Sequence, residues 1–373
     1  MKTVLGLAAA LCLLFCLSGC GSDAPQTSGT RDTAVSAGEQ GPFTVDTVIE
    51  DVTNNPVFGT YGRLLFPVDR GKVNGGKADR EGGLGHKVNG GEADREGSLG
   101  CYASGSTLGD LQLAWYHNID PDETVTIVNN LYTRAAAGET VFYDIYSEAE
   151  KAADPEKEDT GLFFFRGDAG APFAVCNAGG GFAYVGAMQD SFPHALSLSE
   201  RGYNAFALIY RPGAQTACED LARAISFIFA NADSLGVSTD CYSLWGGSAG
   251  ARMAAWLGSY GPAAFGKVND GEADREGGLG RGDPLPRPGA VIMQYTGHTD
   301  VSPNDPPTFA CVGERDGIAS WHTMRRRLER LDAMGIPTEF HHYPGLQHGF
   351  GLGTGTIAEG WLDEAVAFWE AQM

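Results

Sequence analysis

Tyr242-Ser243-Leu244-Trp245-Gly246-Gly247-Ser248-Ala249-Gly250-Ala251-Arg252-Met253 is the stretch that decides the fold. It opens on an apolar strand pattern, turns through glycines, and from Ala249 carries a helical pattern to about Ser259. Its middle fits G-x-S-x-G. With 53 glycines in 373 residues that pattern alone is weak, and a tight turn with an idle serine would look the same. The context adds meaning, because a nucleophile elbow requires strand, turn and helix in that order. Glycines two before and two after the serine let strand and helix approach closely. The hydroxyl then sits at a helix N-terminus, where developing negative charge is favoured. Ser248 is the candidate nucleophile.

Outward from this point, short apolar runs alternate with amphipathic segments. Phe173–Asn177, Phe206–Tyr210, Tyr242–Trp245, Ala290–Tyr295 and Thr308–Val312 suit strands buried on both faces, and Thr338–Tyr343 is a last strand. Val141–Tyr146 and Leu162–Arg166 read as paired outer strands. Helical patterns occupy Ala217–Asn231, Ala249–Ser259, Ser320–Met334 and Ile357–Ala371. Asp120-Pro121-Asp122-Glu123 is a helix start, with Val125, Val128 and Tyr132 at helical spacing towards Ala136. Repeated strand and helix predict an α/β fold: a mainly parallel central sheet with helices on both faces. Ligands bind such sheets beyond the carboxyl ends of the strands, so chemistry is sought in the loops that follow them.

A serine nucleophile needs a base, an acid to orient it, and donors for an oxyanion. Asn177-Ala178-Gly179-Gly180-Gly181-Phe182 follows a strand and frees backbone N–H groups to converge. Gly180 and Gly181, with the N–H of Ala249, are the candidate oxyanion hole. A phosphate loop competes, but no Lys-Ser/Thr follows and the G-x-G-x-x-G spacing is missing. Asp316 directly follows the strand Thr308–Val312 and is the candidate acid; Glu314 and Asp300 are its rivals. His348, between the last strand and the last helix, is the candidate base. His86, His117, His194, His298, His322, His341 and His342 fit less well by position. The chain order Ser248, Asp316, His348 is the one strand–turn–helix hydrolases use.

From about Leu162 to the end the chain resembles the α/β-hydrolase esterases, especially the acetyl-esterase and hormone-sensitive-lipase-like group. The carriers are Gly179–Phe182, Tyr210-Arg211, Asp220 with Leu221 and Ala224, Trp245–Gly250, Gly313–Asp316 and Gln347-His348-Gly349-Phe350. The resemblance implies acyl transfer to water through an acyl-enzyme, on short acyl esters or acylated carbohydrates, with no cofactor and no metal. Ala178 stands where many lipase-like relatives carry His, which leaves the substrate open. Residues 148–373 are the expected catalytic domain. Residues 43–147 match no motif and are expected to supply a cap. A serine peptidase of the same fold, and a catalytically silent surface binding module, are the alternative readings.

The ends and composition bound the setting. Lys2, the apolar run Val4–Leu17 and Leu17-Ser18-Gly19-Cys20 make residues 1–20 a signal peptide resembling that of bacterial lipoproteins. By that resemblance Cys20 becomes the acylated N-terminus, anchoring the protein to the extracytoplasmic side of a bacterial membrane. Residues 21–42, poor in large apolar side chains, read as a flexible tether. A net charge of -21 argues against nucleic acid as a partner. Beyond Cys20, the five remaining cysteines show no C-x-x-C spacing, so neither a disulfide framework nor a zinc site is expected. Cys176 and Cys311 read as small core residues. A fifteen-residue unit recurs at 71–85, 86–100 and 266–280, too polar for a solenoid, and reads as loop insertions. Arg281-Gly282-Asp283, just after the third copy, reads as a chance tripeptide.

Overall fold

The computed structural model describes residues 41–66, 102, 104–265 and 285–373. The signal segment with Cys20, the tether up to residue 40, all three repeat copies and Arg281–Asp283 lie outside them.

Among the described residues eight strands form one sheet. They are β1 (Phe142–Tyr143), β2 (Gly161–Phe165), β3 (Pro172–Asn177), β4 (Asn204–Ile209), β5 (Ser238–Gly247), β6 (Ala290–Gln294), β7 (Thr308–Gly313) and β8 (Thr338–Tyr343). Their order is β1-β2-β4-β3-β5-β6-β7-β8. The β1–β2 and β2–β4 pairs are antiparallel, and every other pair is parallel. Strands β2, β4, β6 and β7 are buried at every residue, as runs covered on both faces should be. Cys176 and Cys311 are fully buried among them.

The helices that cover the sheet are α1 (Pro121–Ala136), α2 (Phe192–Glu200), α3 (Ala214–Ala230), α4 (Ala249–Tyr260), α5 (Trp321–Asp332) and α6 (Trp361–Glu370). Asp120 caps α1 by accepting from the Asp122 N–H at 2.9 Å. The buried face of α1 is Thr124, Ile127, Val128 and Leu131, one position out of phase with the expected Val125, Val128 and Tyr132. Two further expectations need correcting, and one helix had no counterpart in the sequence reading. The strand expected over Val141–Tyr146 is only two residues long. The last helix begins at Trp361, because Leu352–Gly360 is a run of turns. Helix α2 was not foreseen: it is nearly all buried and carries Pro193 in its first turn, so it shows neither an amphipathic period nor an unbroken helical run.

The chain order makes the site. From β3 it moves to β4 on one side, then returns to place β5 on the other side of β3. The loops leaving β3 and β5 therefore diverge at one point of the sheet edge, where open α/β sheets bind ligands. Register sets them side by side, with Asn177 opposite Gly246.

All described residues belong to one compact unit, Glu39–Met373. The segment before β1 joins the same core through aromatic contacts. Phe43 meets Tyr132 at 5.2 Å, and Tyr61 stacks on Phe142 at 4.9 Å and meets Phe163 at 5.9 Å. Phe58 is fully buried in that chain of rings.

Candidate active site

Ser248 occupies the turn between β5 and α4 at φ 51°, ψ −111°. That conformation costs a non-glycine residue about 1–3 kcal/mol and must be held by its surroundings. One hold is the Ser248 N–H, which donates to the Gln294 carbonyl at 3.0 Å. The flanking glycines are steric necessities. A Cβ on Gly250 would lie 1.9 Å from the Asn177 carbonyl oxygen, and one on Gly246 would lie 2.3 Å from the Gly250 carbonyl carbon. The close approach expected from G-x-S-x-G is thus what makes any larger residue impossible there.

His348 and Asp316 come to the same edge. The His348 Nε2 is 3.1 Å from Ser248 Oγ, and its Nδ1 is 2.7 Å from Asp316 Oδ2. A carboxylate can only accept, so the ring proton sits on Nδ1 and Nε2 is left to accept from the serine hydroxyl. The Asp316 Oδ1 accepts from the Ile318 and Ala319 N–H groups at 2.8 and 2.7 Å. Both oxygens are therefore committed, and the Asp316 side chain is fully buried. The two loops are tied together: the Arg315 N–H donates to the Leu346 carbonyl, and a Cβ on Gly313 would strike that carbonyl oxygen at 2.2 Å. The rivals lie elsewhere. Glu314 is exposed and accepts from the Gly345 N–H, while Asp300 is exposed on the loop after β6.

The glycine loop after β3 is pinned peptide by peptide. In a trans peptide the carbonyl and N–H point in opposite directions. The Gly179 carbonyl accepts from the Gly186 N–H at 3.0 Å, and the Gly180 carbonyl from the Ala183 N–H at 3.0 Å. The N–H groups of Gly180 and Gly181 therefore point away from the 183–186 turn. Neither they nor the Ala249 N–H has an acceptor among the described residues. Gly180 and Gly181 hold φ of 121° and 63°, which glycine accepts at little cost. Ser248 packs against this loop: a Cβ on Gly179 would be 2.9 Å from the serine Cβ. Tyr210 fixes the loop from below, its hydroxyl donating to the Ala178 carbonyl at 2.8 Å. Next to it Arg211 forms a buried pair with Asp220 at 2.7 Å, which accounts for that part of the motif set.

Several residues at the site were not foreseen. Asp190, buried, accepts from the Gly179 N–H at 3.0 Å and from the hydroxyls of Tyr116 and Tyr295. Burial pushes its carboxyl above the usual range, opposed by those three bonds and by the nearby His348. The Tyr295 ring lies 4.8 Å from the His348 ring. His117, set aside by chain order, donates from Nδ1 to the His348 carbonyl at 3.2 Å. The other histidines stay apart: His194 bonds Gln294, His341 bonds Glu339, and buried His298 packs on Trp256.

A family model described as BD-FAE matches residues 166–276, which hold the glycine loop and the Ser248 turn. Among solved structures, the acetyl ester-xyloside bifunctional hydrolase of Caldicellulosiruptor lactoaceticus is 22% identical with a TM-score of 0.52. The match covers 62% of this chain and 95% of that one. This is the α/β-hydrolase fold. The butyrate-bound esterase 2 of Thermogutta terrifontis is 19% identical, with a TM-score of 0.48 over 63% of this chain and 96% of that one. The α/β-hydrolase MGS-M1 from a Medee basin deep-sea metagenome library is 23% identical, with a TM-score of 0.47 over 57% and 92%. No curated protein matches the chain. The α/β-hydrolase resemblance read from the motifs is thus met by the fold.

Proposed function

We propose that the chain is a serine carboxylic-ester hydrolase that works through Ser248, His348 and Asp316. The observation that carries this reading is the continuous line from Ser248 Oγ to His348 Nε2, and from Nδ1 to Asp316 Oδ2, at 3.1 and 2.7 Å. His348 takes the hydroxyl proton as Ser248 attacks the ester carbonyl, and Asp316 holds the imidazole tautomer and the imidazolium that forms. The N–H groups of Gly180, Gly181 and Ala249 receive the oxyanion, each worth about 3–4 kcal/mol where such donors have been removed. His348 then protonates the leaving alcohol, and activates the water that releases the acyl group.

A crevice of about 180 Å³ adjoins the base, lined by His117, Asn118, Leu346, Gln347 and Phe350 among others. The likeness to an acetyl ester-xyloside hydrolase supports acylated carbohydrates as one substrate class to test. The Leu17–Cys20 pattern supports a place on the outer side of a membrane. Ser248→Ala should lower hydrolysis of a short-chain aryl ester by roughly 10⁴-fold or more without changing the fold. Substantial activity in a correctly folded variant would refute the assignment.

A further inference from the structure

The reaction above leaves Asp190 and Tyr116 without a task, yet the two meet directly behind the nucleophile. Asp190 ends the short helix Ala187–Asp190 and is 1% exposed. Among the described residues no Lys or Arg forms an ion pair with it. A buried carboxylate without a cation is costly unless every lone pair is used. Here Oδ2 accepts both the Gly179 N–H, at 3.0 Å, and the Tyr116 hydroxyl, at 2.6 Å, while Oδ1 accepts the Tyr295 hydroxyl. Its oxygens are wedged between the two loops of the site. A Cβ on Gly247 would lie 2.4 Å from Oδ2, and one on Gly179 would lie 2.8 Å from it.

The segment that delivers Tyr116 is fastened across both halves of the site. The Tyr184 hydroxyl donates to the Ala114 carbonyl at 2.5 Å. Trp115, at φ 71°, lies against Gly181, where a Cβ would be 3.0 Å from the indole ring. His117 reaches the His348 carbonyl, and Gln189 donates to the carbonyls of Asn118 and Gly349, each at 3.2 Å. The segment lies outside the residues the family model matches.

We propose that Asp190 and Tyr116 are positioning residues for the oxyanion hole: Asp190 holds the Gly179 N–H, and Tyr116 locks Asp190 in place from the segment before α1. With Tyr210 on the Ala178 carbonyl and Asp190 on the Gly179 N–H, both ends of the Ala178–Gly179 peptide are fixed. The next two peptides then start from a set plane, and their N–H groups stay aimed without substrate. Such preorganisation lowers the barrier because no reorientation is needed when charge develops. The inference rests on the esterase reading above.

The test compares Asp190→Asn, Tyr116→Phe and the double variant with the full-length protein. The readouts are kcat and KM on a short aryl ester, affinity for a trifluoromethyl ketone that mimics the oxyanion, and Tm. In Asp190→Asn the amide turns a donor towards the groups that Asp190 accepts from. Its kcat should fall roughly 10–100-fold with KM little changed, and ketone affinity should fall by a similar factor. Tyr116→Phe keeps the ring packing and should lose roughly 3–10-fold in both. The double variant should be no worse than Asp190→Asn alone, because the two act through one peptide. A loss of Tm with kcat and ketone affinity retained in either variant would overturn the proposal, as would fully additive losses in the double. If Asp190→Asn does not fold, Tyr116→Phe decides alone. A wild-type protein that neither hydrolyses esters nor binds the ketone would overturn the esterase reading and this inference together.

Discussion

The described residues of 161–373 and of 41–147 share one core, but they contribute to the site in different ways. In the first region each candidate group ends a strand: the glycine loop after β3, Ser248 after β5, Asp316 after β7 and His348 after β8. Position along the fold is the signal. In the second region Tyr116 and His117 reach the site from a loop before α1, and what they touch lies 74 and 231 residues away. The difference teaches that the candidate reacting groups follow from topology, whereas the groups that hold them follow from packing. A segment with no motif can still be structurally inseparable from the site.

That comparison can be broken by asking whether the first segment folds with the rest. Phe58 is fully buried against Phe43, Tyr61 and Tyr132, as Phe206 is against Phe164 and Phe173. Phe58→Ala and Phe206→Ala should each cost about 3–5 kcal/mol and leave a single unfolding transition. Denaturation followed by fluorescence and far-UV circular dichroism checks this. An early, separate transition in Phe58→Ala alone would show that the segment is an independent appendage.

A smaller effect sharpens the contrast from inside the first region. His194 on α2 is buried, donates from Nε2 to the Gln294 Oε1 at 2.8 Å, and has no partner at Nδ1 among the described residues. Burial lowers its pKa from 6.5 to about 4. The unfolded chain therefore takes up this proton first, so the stability is present above about pH 6.5 and lost as pH falls towards 4. From pH 7 to pH 5 this group alone should remove roughly 2 kcal/mol. His298, also held neutral by burial and by Arg327 and Arg252, acts in the same direction. His194→Gln should flatten the urea midpoint against pH between those values without abolishing the slope. An unchanged slope would mean that His194 is not held neutral.

How much of this was legible follows the same line. The strand–turn–helix around Ser248 could be read because glycines at 246 and 250 are demanded by contacts below 2.5 Å. Asp316 and His348 could be read because each sits where a parallel strand ends. Asp190 could not, since nothing in Ala187-Met188-Gln189-Asp190 pairs it with residue 116. Its one signal is an acid set among Val185, Met188 and Phe192, all buried. Helix α2 lacked a period because almost every side of it is covered. The brevity of β1 is an edge effect: only Phe142 and Tyr143 find partners on β2.

Treating the intact protein with a fluorophosphonate and mapping the adduct by mass tests the role of Ser248 most directly. A single modification is expected on the peptide carrying Gly246–Gly250, at the serine, with loss of ester hydrolysis in step with labelling. No adduct, or an adduct on another side chain with Ser248 untouched, would contradict it.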